Sequence, residues 1–209
     1  LTQNLWVRGG AMNNGGLVTK WLAENFSSFQ EASDPAYREM FTAASKITPE
    51  ANGLIFLPYL FGERAPIYNE RARGVFFGLH SGHQRAHFAR AGLEGILFAL
   101  YSIYEILQSS QAEVGEIRAT GGYVQSDLML QIQADIFGQP ILVPGEHEGS
   151  VIGAAGLALK ALGCIADFDE LQASFKIQSQ YTPDKKAQDS YQEQYPRFKA
   201  LYENLKPLF

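Results

Sequence analysis

The sequence predicts an α/β domain with a mainly parallel sheet flanked by helices, and three observations carry this prediction. Short apolar segments with strand character alternate with longer segments that have helical periodicity. Glycine-rich turns lie between several of these pairs, as expected where a strand leads into a helix. Apolar residues form 46% of the 209 residues, enough for the core of one large domain or two small ones.

Strand and helix patterns alternate through the first half of the chain. Ser33–Asp34–Pro35 is a start signal for a helix, because proline is tolerated in the first helical turn. The longest apolar stripe runs from Phe88 to Leu107 at spacings of three and four residues. The predicted elements are a strand at Leu5–Val7, helices over 17–26 and 34–46, a strand at Leu54–Leu57, a loop over 58–73 and a helix over 85–107.

The same alternation continues in the second half. Ser126 can cap the helix that follows it, and Asp127 is favourable near the positive end of the helix dipole. Gly138 is placed to end that helix, with Pro140 just beyond. The predicted elements are a strand over 116–120, the helix after Ser126, a strand over 141–143, a helix over 150–162 rich in small residues, a loop over 183–186 and a surface helix over 188–205. The last helix carries Tyr191, Tyr195, Phe198 and Tyr202 on one side, and we expect a docking surface there.

Charge and cysteine content exclude several classes of function. The chain has 17 Lys and Arg against 22 Asp and Glu, so it lacks the basic excess of a nucleic-acid or membrane-surface binder. No apolar run reaches the roughly 18 residues of a membrane span, and the start has no signal-peptide pattern. A single cysteine, Cys164, excludes a disulfide framework, fits a reducing, cytoplasmic compartment and is expected to be buried. The histidines at 80, 83 and 87 lack a carboxylate or cysteine pattern, so no metal site is predicted.

Glycine-rich turns before helices are the candidate ligand sites. A helix N-terminus presents unpaired N–H groups and a partial positive charge, which suits phosphate, and glycine lets a ligand approach the backbone. None of these turns matches a P-loop or a G-x-G-x-x-G pattern, and tight turns between strand and helix remain the alternative. The turns are Gly9–Gly10 with Gly15–Gly16, then Gly121–Gly122, then Gly145 with Gly149.

Two segments in a fixed order resemble the second signature of the FGGY carbohydrate kinases. Gly74–Leu79 is followed, after a gap of seven residues, by His87–Glu94. One position departs from the family pattern, because Gly92 stands where a small aliphatic residue, Ser or Thr is usual.

Other segments extend this resemblance over about residues 5–165 in the right order. Within the family, the N-terminal segments look most like gluconate kinases. The matching segments are Gly9–Gly10, Asn13–Gly16 and Trp21–Leu22, then Leu57–Leu60 and Gly62–Pro66 before the signature, then Ala119–Gly122 with Gln131, Ala134–Asp135 and Gly138, then Glu148–Ser150 with Gly153–Ala155.

The resemblance implies a fold of two RNase H-like, actin-like ATPase domains with a cleft between them. This chain matches the C-terminal, nucleotide-binding domain over 1–165, and 166–209 is an appended C-terminal helical segment of the same domain. The family's catalytic aspartate precedes the point where this sequence begins, so no catalytic residue is expected in it. Because the first residue is Leu rather than Met, we expect a fragment that is inactive alone.

The implied function is the nucleotide-binding half of a kinase that transfers the γ-phosphoryl of MgATP to gluconate or a related sugar. The expected partners are that sugar, ATP with Mg²⁺ and the N-terminal domain of the same enzyme. Kinases of this family are often dimers, so a homodimer stays open. The alternatives are a kinase of another sugar such as xylulose or glycerol, or an actin-like nucleotide-binding module without catalysis.

The resemblance transfers five nucleotide-binding residues, namely Gly16, Lys20, Gly121, Gly122 and Ser126. Lys20 stands where the family often has Gln, and a solvated helix face is its alternative role. Ser126 stands where Asn or Ser is frequent, and it can also be a plain helix cap. A positive φ at Gly122 would make a β-branched residue strained there.

Five further polar residues are interpreted as structural. Glu94 lies in the middle of a helix, and a buried carboxylate needs hydrogen-bond partners. Glu63 and Arg64 are neighbours on a loop, which we expect to be fixed by an ion pair between them. Arg90 and His87 are expected to belong to helix packing.

Overall fold

The structure is a computed structural model that describes residues 7–109, 114–145, 149–168 and 176–209. It forms two compact units. The larger unit comprises the chain up to Val114 together with Lys185–Phe209, and the smaller unit is Gly115–Asp184. The division into residues 1–165 and an appended segment 166–209 stays a prediction.

Six helices and five strands are formed by the described residues. The helices are α1 (Gly16–Phe26), α2 (Asp34–Ala44), α3 (Arg85–Ser109), α4 (Asp127–Phe137), α5 (Gly149–Ala161) and α6 (Lys185–Leu205). The strands are β1 (Ile55–Leu57), β2 (Val75–Phe77), β3 (Ile117–Arg118), β4 (Ile141–Pro144) and β5 (Ile177–Tyr181). Short 3₁₀ segments occupy Pro49–Gly53, Gly122–Gln125 and Lys206–Leu208.

All six helices were predicted, with ends that differ by at most three residues. The loop predicted over 183–186 is shorter, because α6 already begins at Lys185. Strands β1, β3 and β4 are confirmed, although β3 has only two residues. The predicted strand at Leu5–Val7 falls mostly outside the described residues, and Val7 itself is not in a strand. Strands β2 and β5 were not predicted.

The strands form two separate sheets. In the larger unit, β1 pairs with β2 in antiparallel orientation, with Ile55 opposite Phe77. In the smaller unit the order is β3-β4-β5, in which β3 and β4 are parallel and β4 and β5 are antiparallel. The α/β class is confirmed. The sheets are mixed rather than mostly parallel, with one parallel pair among the described strands.

The core of the larger unit is built around α3, which packs against α1, α2 and β1. Two glycines of α3 permit the close approach of its neighbours. A Cβ on Gly92 would lie 2.4 Å from Leu22 Cδ2 of α1, and a Cβ on Gly95 would lie 2.3 Å from the backbone oxygen of Phe56. The departure from the family pattern at Gly92 therefore has a packing reason, because Leu22 fills the space of a side chain.

The aromatic stripe of α6 is part of this same core. Tyr191 and Phe198 are each 1% exposed, and their rings lie 5.8 and 5.4 Å from the ring of Phe98 on α3. The expectation of a docking surface is therefore wrong for this stripe. A row of aromatic residues at helical spacing predicts one buried face, but the sequence does not say what buries it.

The smaller unit has its own compact core. Ser126 caps α4, since its Oγ accepts a hydrogen bond from the Met129 N–H at 3.4 Å. Gly138 ends α4 in the left-handed conformation with φ of 62°, as predicted. The buried core residues are Ala119, Val124, Leu130, Ala134, Ile141 and Val143.

Cys164 is exposed, so the prediction of a buried thiol is wrong. It lies three residues beyond the end of α5, where the chain has already turned at Gly163 with φ of 72°. Helix α5 is itself largely exposed, and Gly156 is its one buried residue. Among the helices described here, none has the length and apolar character needed to cross a membrane.

Candidate functional site

The turn before α1 presents an open helix N-terminus. Gly15 caps the helix without a side-chain hydrogen bond, and no acidic residue lies in the first turn. The Val18 and Thr19 N–H groups both donate to the Gly15 carbonyl at 3.1 Å, whereas the first N–H groups of a helix have no acceptor within it. A Cβ on Gly15 or Gly16 would meet nothing within 4 Å. Backbone donors and free space therefore coincide at Gly16.

A buried carboxylate holds this turn from a distant loop. Glu63 Oε1 accepts the Asn13 N–H at 2.7 Å and the Arg64 N–H at 2.8 Å. Glu63 Oε2 accepts from Asn14 Nδ2 at 2.9 Å, and the same amide group donates to the Gly62 carbonyl at 2.6 Å. Asn14 Oδ1 in turn accepts the Phe61 N–H at 3.2 Å. All polar atoms of the Asn14 side chain are thereby satisfied by residues 61–63.

The loop around Glu63 is fixed as predicted, but by other contacts than an ion pair with Arg64. Arg64 contributes its backbone N–H to the carboxylate, and its side chain forms no ion pair with Glu63. The loop is further closed by two hydrogen bonds of 2.9 Å between the backbones of Glu63 and Asn69. The opposite charges of Glu63 and Arg64 predicted an ion pair between their side chains. The Glu63 carboxylate instead accepts nearby N–H groups.

Lys20 lies one turn along α1 from Gly16 and is exposed. Its side chain is 56% exposed, and Nζ lies 3.8 Å from Glu24 Oε1. An exposed ion pair at this spacing is worth less than about 0.5 kcal/mol, so the ammonium group can leave it at little cost. Contact of Lys20 with a nucleotide stays a prediction.

The smaller unit contains the second open glycine turn, at the end of β3. Gly121 has φ of 91° and ψ of −177°, a conformation that is essentially restricted to glycine. Gly122 begins the 3₁₀ segment and is not among the residues with positive φ, so the left-handed residue is Gly121 rather than Gly122. Both glycines are exposed, and a Cβ on either would meet nothing within 4 Å.

Residues after this turn hold it in place. Ser126 is 8% exposed and caps α4, which confirms its structural role. Tyr123 donates its hydroxyl to Gln133 Oε1 at 3.0 Å, which joins the turn to α4. Burial raises the pKa of Tyr123, so the phenol stays neutral at physiological pH.

The third glycine turn, Gly145 with Gly149, lies only partly within the described residues, because 146–148 are outside them. A Cβ on Gly149 would lie 3.2 Å from Thr120 Oγ1. The start of α5 is therefore close to the end of β3, just before Gly121.

Glu94 belongs to a buried polar cluster in the larger unit, in agreement with its predicted structural role. Its Oε1 accepts from Arg90 Nε at 2.6 Å, from the Tyr191 hydroxyl at 2.7 Å and from the Glu50 N–H at 3.1 Å. Burial raises the pKa of Glu94, and the charge of Arg90 opposes this effect. The cluster links α3, α6 and the left-handed turn at Glu50.

The three histidines at 80, 83 and 87 form a local arrangement of hydrogen bonds. Each Nδ1 accepts a backbone N–H, from Gly82, His80 and Gln84 respectively, at 3.0, 3.0 and 3.1 Å. Within the described ranges, no group of three or more His, Cys, Asp or Glu side chains is arranged to hold a metal ion. The rings therefore organise the start of α3, where His87 was expected to contribute to helix packing.

The five predicted nucleotide residues lie at two places. Gly16 and Lys20 are on α1 of the larger unit, and Gly121, Gly122 and Ser126 surround one turn of the smaller unit. Sequence reasoning missed the roles of Asn14 and Glu63. A signal for Asn14 was present, since two asparagines directly precede two glycines at a helix start, and short polar side chains often fix such turns.

Comparison with known proteins gives carbohydrate kinases as relatives of this chain. Residues 1–162 match the C-terminal domain of the FGGY family of carbohydrate kinases. A gluconokinase from Bacillus licheniformis is 38% identical over 205 residues, which is 95% of this chain and 40% of that protein. The chain thus spans about 40% of the length of such relatives.

Solved structures agree with this match. The gluconate kinase of Lactobacillus acidophilus superposes with a TM-score of 0.85 at 35% identity, covering 94% of this chain and 39% of that one. A ligand-bound xylulose kinase from the same organism gives a TM-score of 0.86 at 35% identity, with the same coverage. The predicted family is confirmed, and with it the actin-like, RNase H-like fold class. The chain belongs to the FGGY family of carbohydrate kinases and corresponds to its C-terminal domain.

Proposed function

We propose that this chain is the nucleotide-binding part of an ATP-dependent sugar kinase whose acceptor is gluconate or a related sugar. The observation that carries the proposal is the pair of open glycine turns, at Gly15–Gly16 and at Gly121–Gly122. In both turns the space that a Cβ would occupy is empty. Contacts within the chain therefore do not require glycine there, and the backbone is accessible to a ligand.

The residues present fit ATP as a ligand. Backbone N–H groups at the start of α1 can donate to phosphate oxygens, and the helix dipole favours their negative charge. Lys20 adds a mobile positive charge one helical turn further on. The exposed backbone at Gly121 and Gly122 leaves room for ribose or adenine, and Ser126 caps α4 four residues after Gly122.

Within this proposal, the work of the chain is binding and positioning rather than proton transfer. Phosphoryl transfer depends mainly on alignment and on stabilisation of charge, for which fixed N–H donors are suited. Mg²⁺ would be held by phosphates and water, and would neutralise charge on the phosphates. No acidic residue of the chain is assigned as the base, because the resemblance puts that aspartate in the N-terminal domain.

Gluconate is favoured over other acceptors by the likeness in sequence. The Bacillus licheniformis relative named as a gluconokinase is 38% identical, whereas the gluconate kinase and xylulose kinase structures from Lactobacillus acidophilus are both 35% identical. A xylulose or glycerol kinase and a non-catalytic nucleotide-binding module remain the alternatives. The sugar is expected to contact mainly the N-terminal domain, so it must be tested with both domains present.

Two measurements test the proposal. The purified chain should bind ADP with millimolar affinity, about 4 kcal/mol, because part of the phosphate contacts belongs to the other domain. Amide shifts in NMR spectra should centre on Gly16, Gly121, Gly122 and Ser126; shifts centred elsewhere would contradict the placement.

The chain alone should not phosphorylate gluconate. Joined to the N-terminal part of the Bacillus licheniformis gluconokinase, it should restore ATP-dependent phosphorylation of gluconate. A joined protein that folds and binds ADP but phosphorylates xylulose instead would favour the alternative acceptor. Turnover by the 209-residue chain alone would contradict the assignment of the base to the other domain.

A further inference from the structure

We propose that Glu63 and Asn14 are positioning residues for the nucleotide, because they fix the turn that presents Gly16 and Lys20. The inference rests on the proposed function and adds two residues to it that do not touch the nucleotide themselves. It concerns the larger unit alone, since both residues and the turn belong to it.

The turn at residues 13–15 is held by contacts with another part of the chain. Residues 13–15 form bends without regular hydrogen bonding, and Gly15 and Gly16 add conformational freedom. The supports come from residues about 50 positions away in sequence: Glu63 holds the Asn13 N–H and the Asn14 amide, and the Ala65 N–H donates to the Ala11 carbonyl at 3.1 Å. The loop thus fixes the turn at successive points just before the open N-terminus of α1.

The charge of Glu63 is unusual for a buried carboxylate. Its residue is 3% exposed, yet no Lys, Arg or His forms an ion pair with it within the described part of the chain. The negative charge is balanced by three N–H donors, from Asn13, Arg64 and Asn14. Hydrogen bonds to a charged acceptor are the stronger kind, so they hold the donors at fixed positions.

The loop that carries Glu63 is itself held by close packing at Gly62 and by a hydrogen bond of Asn69. Gly62 has φ of 65°, and a Cβ there would lie 2.6 Å from the Glu70 carbonyl oxygen. Asn69 Nδ2 donates to the Tyr202 hydroxyl on α6 at 3.2 Å. The loop that carries the Glu63 carboxylate is therefore packed against the core. A positioning role requires such a fixed loop.

A second carboxylate offers a matched control at the opposite end of α1. Glu39 Oε1 accepts the Ser28 N–H at 3.1 Å and the Ser28 hydroxyl at 2.6 Å, just after the helix ends. Both glutamates therefore fix a segment next to α1 by accepting a backbone N–H, Glu63 as a buried residue and Glu39 as an exposed one. Only Glu63 does so at the end that carries Gly16.

The experiment measures ADP affinity and melting temperature of the whole chain in the wild type, Glu63→Gln and Glu39→Gln. Glutamine has one acceptor oxygen, so in Glu63→Gln an amide group must face either the Asn14 amide or the backbone N–H groups, donor against donor. We expect Glu63→Gln to weaken ADP binding about tenfold, and Glu39→Gln to change it less than about twofold.

A third variant separates positioning from plain stability. In Asn14→Asp with Glu63→Gln, the glutamine amide can donate to the aspartate, although the Gly62 carbonyl loses its donor. Partial recovery of ADP affinity relative to Glu63→Gln is expected. If Glu63→Gln does not fold, Asn14→Ser removes the side-chain contacts to Glu63 Oε2, the Gly62 carbonyl and the Phe61 N–H. It leaves Glu63 Oε1 bound to the Asn13 and Arg64 N–H groups, so it should weaken ADP binding by a smaller factor.

The outcomes distinguish this inference from the proposed function. A folded wild-type chain that binds no ADP overturns both. A wild type that binds ADP, with Glu63→Gln or a folded Asn14→Ser binding equally well, overturns the positioning role alone. Equal losses of affinity in Glu63→Gln and Glu39→Gln also overturn it, because they would reflect general destabilisation.

Discussion

The glycines of this chain fall into two groups that differ in what fills the space of the missing side chain. At Gly92, Gly95 and Gly62 the chain itself fills it, with other atoms 2.4, 2.3 and 2.6 Å from an ideal Cβ. At Gly16 and Gly122 no atom lies within 4 Å. The first group is explained by packing within the larger unit, to which Gly62 adds a φ of 65°. The second group is not explained by packing.

This difference separates residues that the fold requires from residues that a ligand would require. A glycine at a close approach is needed in any chain with the same fold, bound or unbound. An open glycine costs conformational entropy without a packing return, and it leaves the backbone accessible to a ligand. Gly115 and Gly153 are equally open, so the ligand has to be tested against them. Gly121 is intermediate, because its space is open but its φ of 91° already favours glycine.

The largest effect is expected for Gly95→Ala, in the filled group. The new methyl would lie 2.3 Å from the Phe56 carbonyl oxygen, which is backbone of β1 and can move only with its strand. We expect a loss of about 3 kcal/mol in the free energy of unfolding, measured by urea denaturation.

The matched control for this variant is Gly153→Ala. Gly153 also lies within a helix, but a Cβ there meets nothing within 4 Å. It should stabilise the chain by about 0.5–1 kcal/mol, since alanine favours the helix over glycine. Equal destabilisation by both substitutions would show that the two groups do not differ in packing.

A medium effect is expected for Gly121→Ala, which tests the intermediate residue. The methyl meets no atom, so the cost is that of holding alanine at φ of 91° and ψ of −177°, about 2 kcal/mol. Thermal unfolding of Gly121→Ala and Gly122→Ala should differ accordingly, with Gly122→Ala close to the wild type. A reversed order would mean that the left-handed residue is Gly122.

The helices of this chain were easier to predict from the sequence than two of its strands. Local signals located every helix described: apolar spacing for α1, α3 and α6, a start signal for α2, cap residues for α4 and small residues for α5. Strand β5 escaped because its residues Ile177–Tyr181 are mostly exposed and polar, so alternation gave little contrast. Strand β2 escaped because its three residues were interpreted only as part of the family signature.

The candidate site shows more clearly that contacts between distant residues are not visible in the sequence. Resemblance supplied Gly16, Gly121 and Gly122, but not which of them has a positive φ, since that depends on the path of the chain. Glu63 was paired with Arg64 because they are neighbours in sequence, whereas its partners Asn13 and Asn14 lie about 50 residues away. Contacts between distant residues and the exposure of Cys164 depend on tertiary packing, which one sequence does not encode locally.

The smallest effect on stability, and the sharpest test of the open group, is expected for Gly122→Val. Gly122 has no positive φ and its Cβ space is empty, so the change in unfolding free energy should stay below about 0.5 kcal/mol. Two methyl groups would nevertheless occupy the space proposed for ribose or adenine. ADP binding to the chain should weaken about tenfold or more, and in the enzyme joined to an N-terminal domain KM for ATP should rise while KM for the sugar changes little.

Gly115→Val is the control, because Gly115 is exposed, has no positive φ and also meets nothing within 4 Å. Equal ADP affinity in Gly122→Val and Gly115→Val would mean that open space at Gly122 is not a nucleotide surface, whereas a selective loss without a change in melting temperature assigns that space to the ligand.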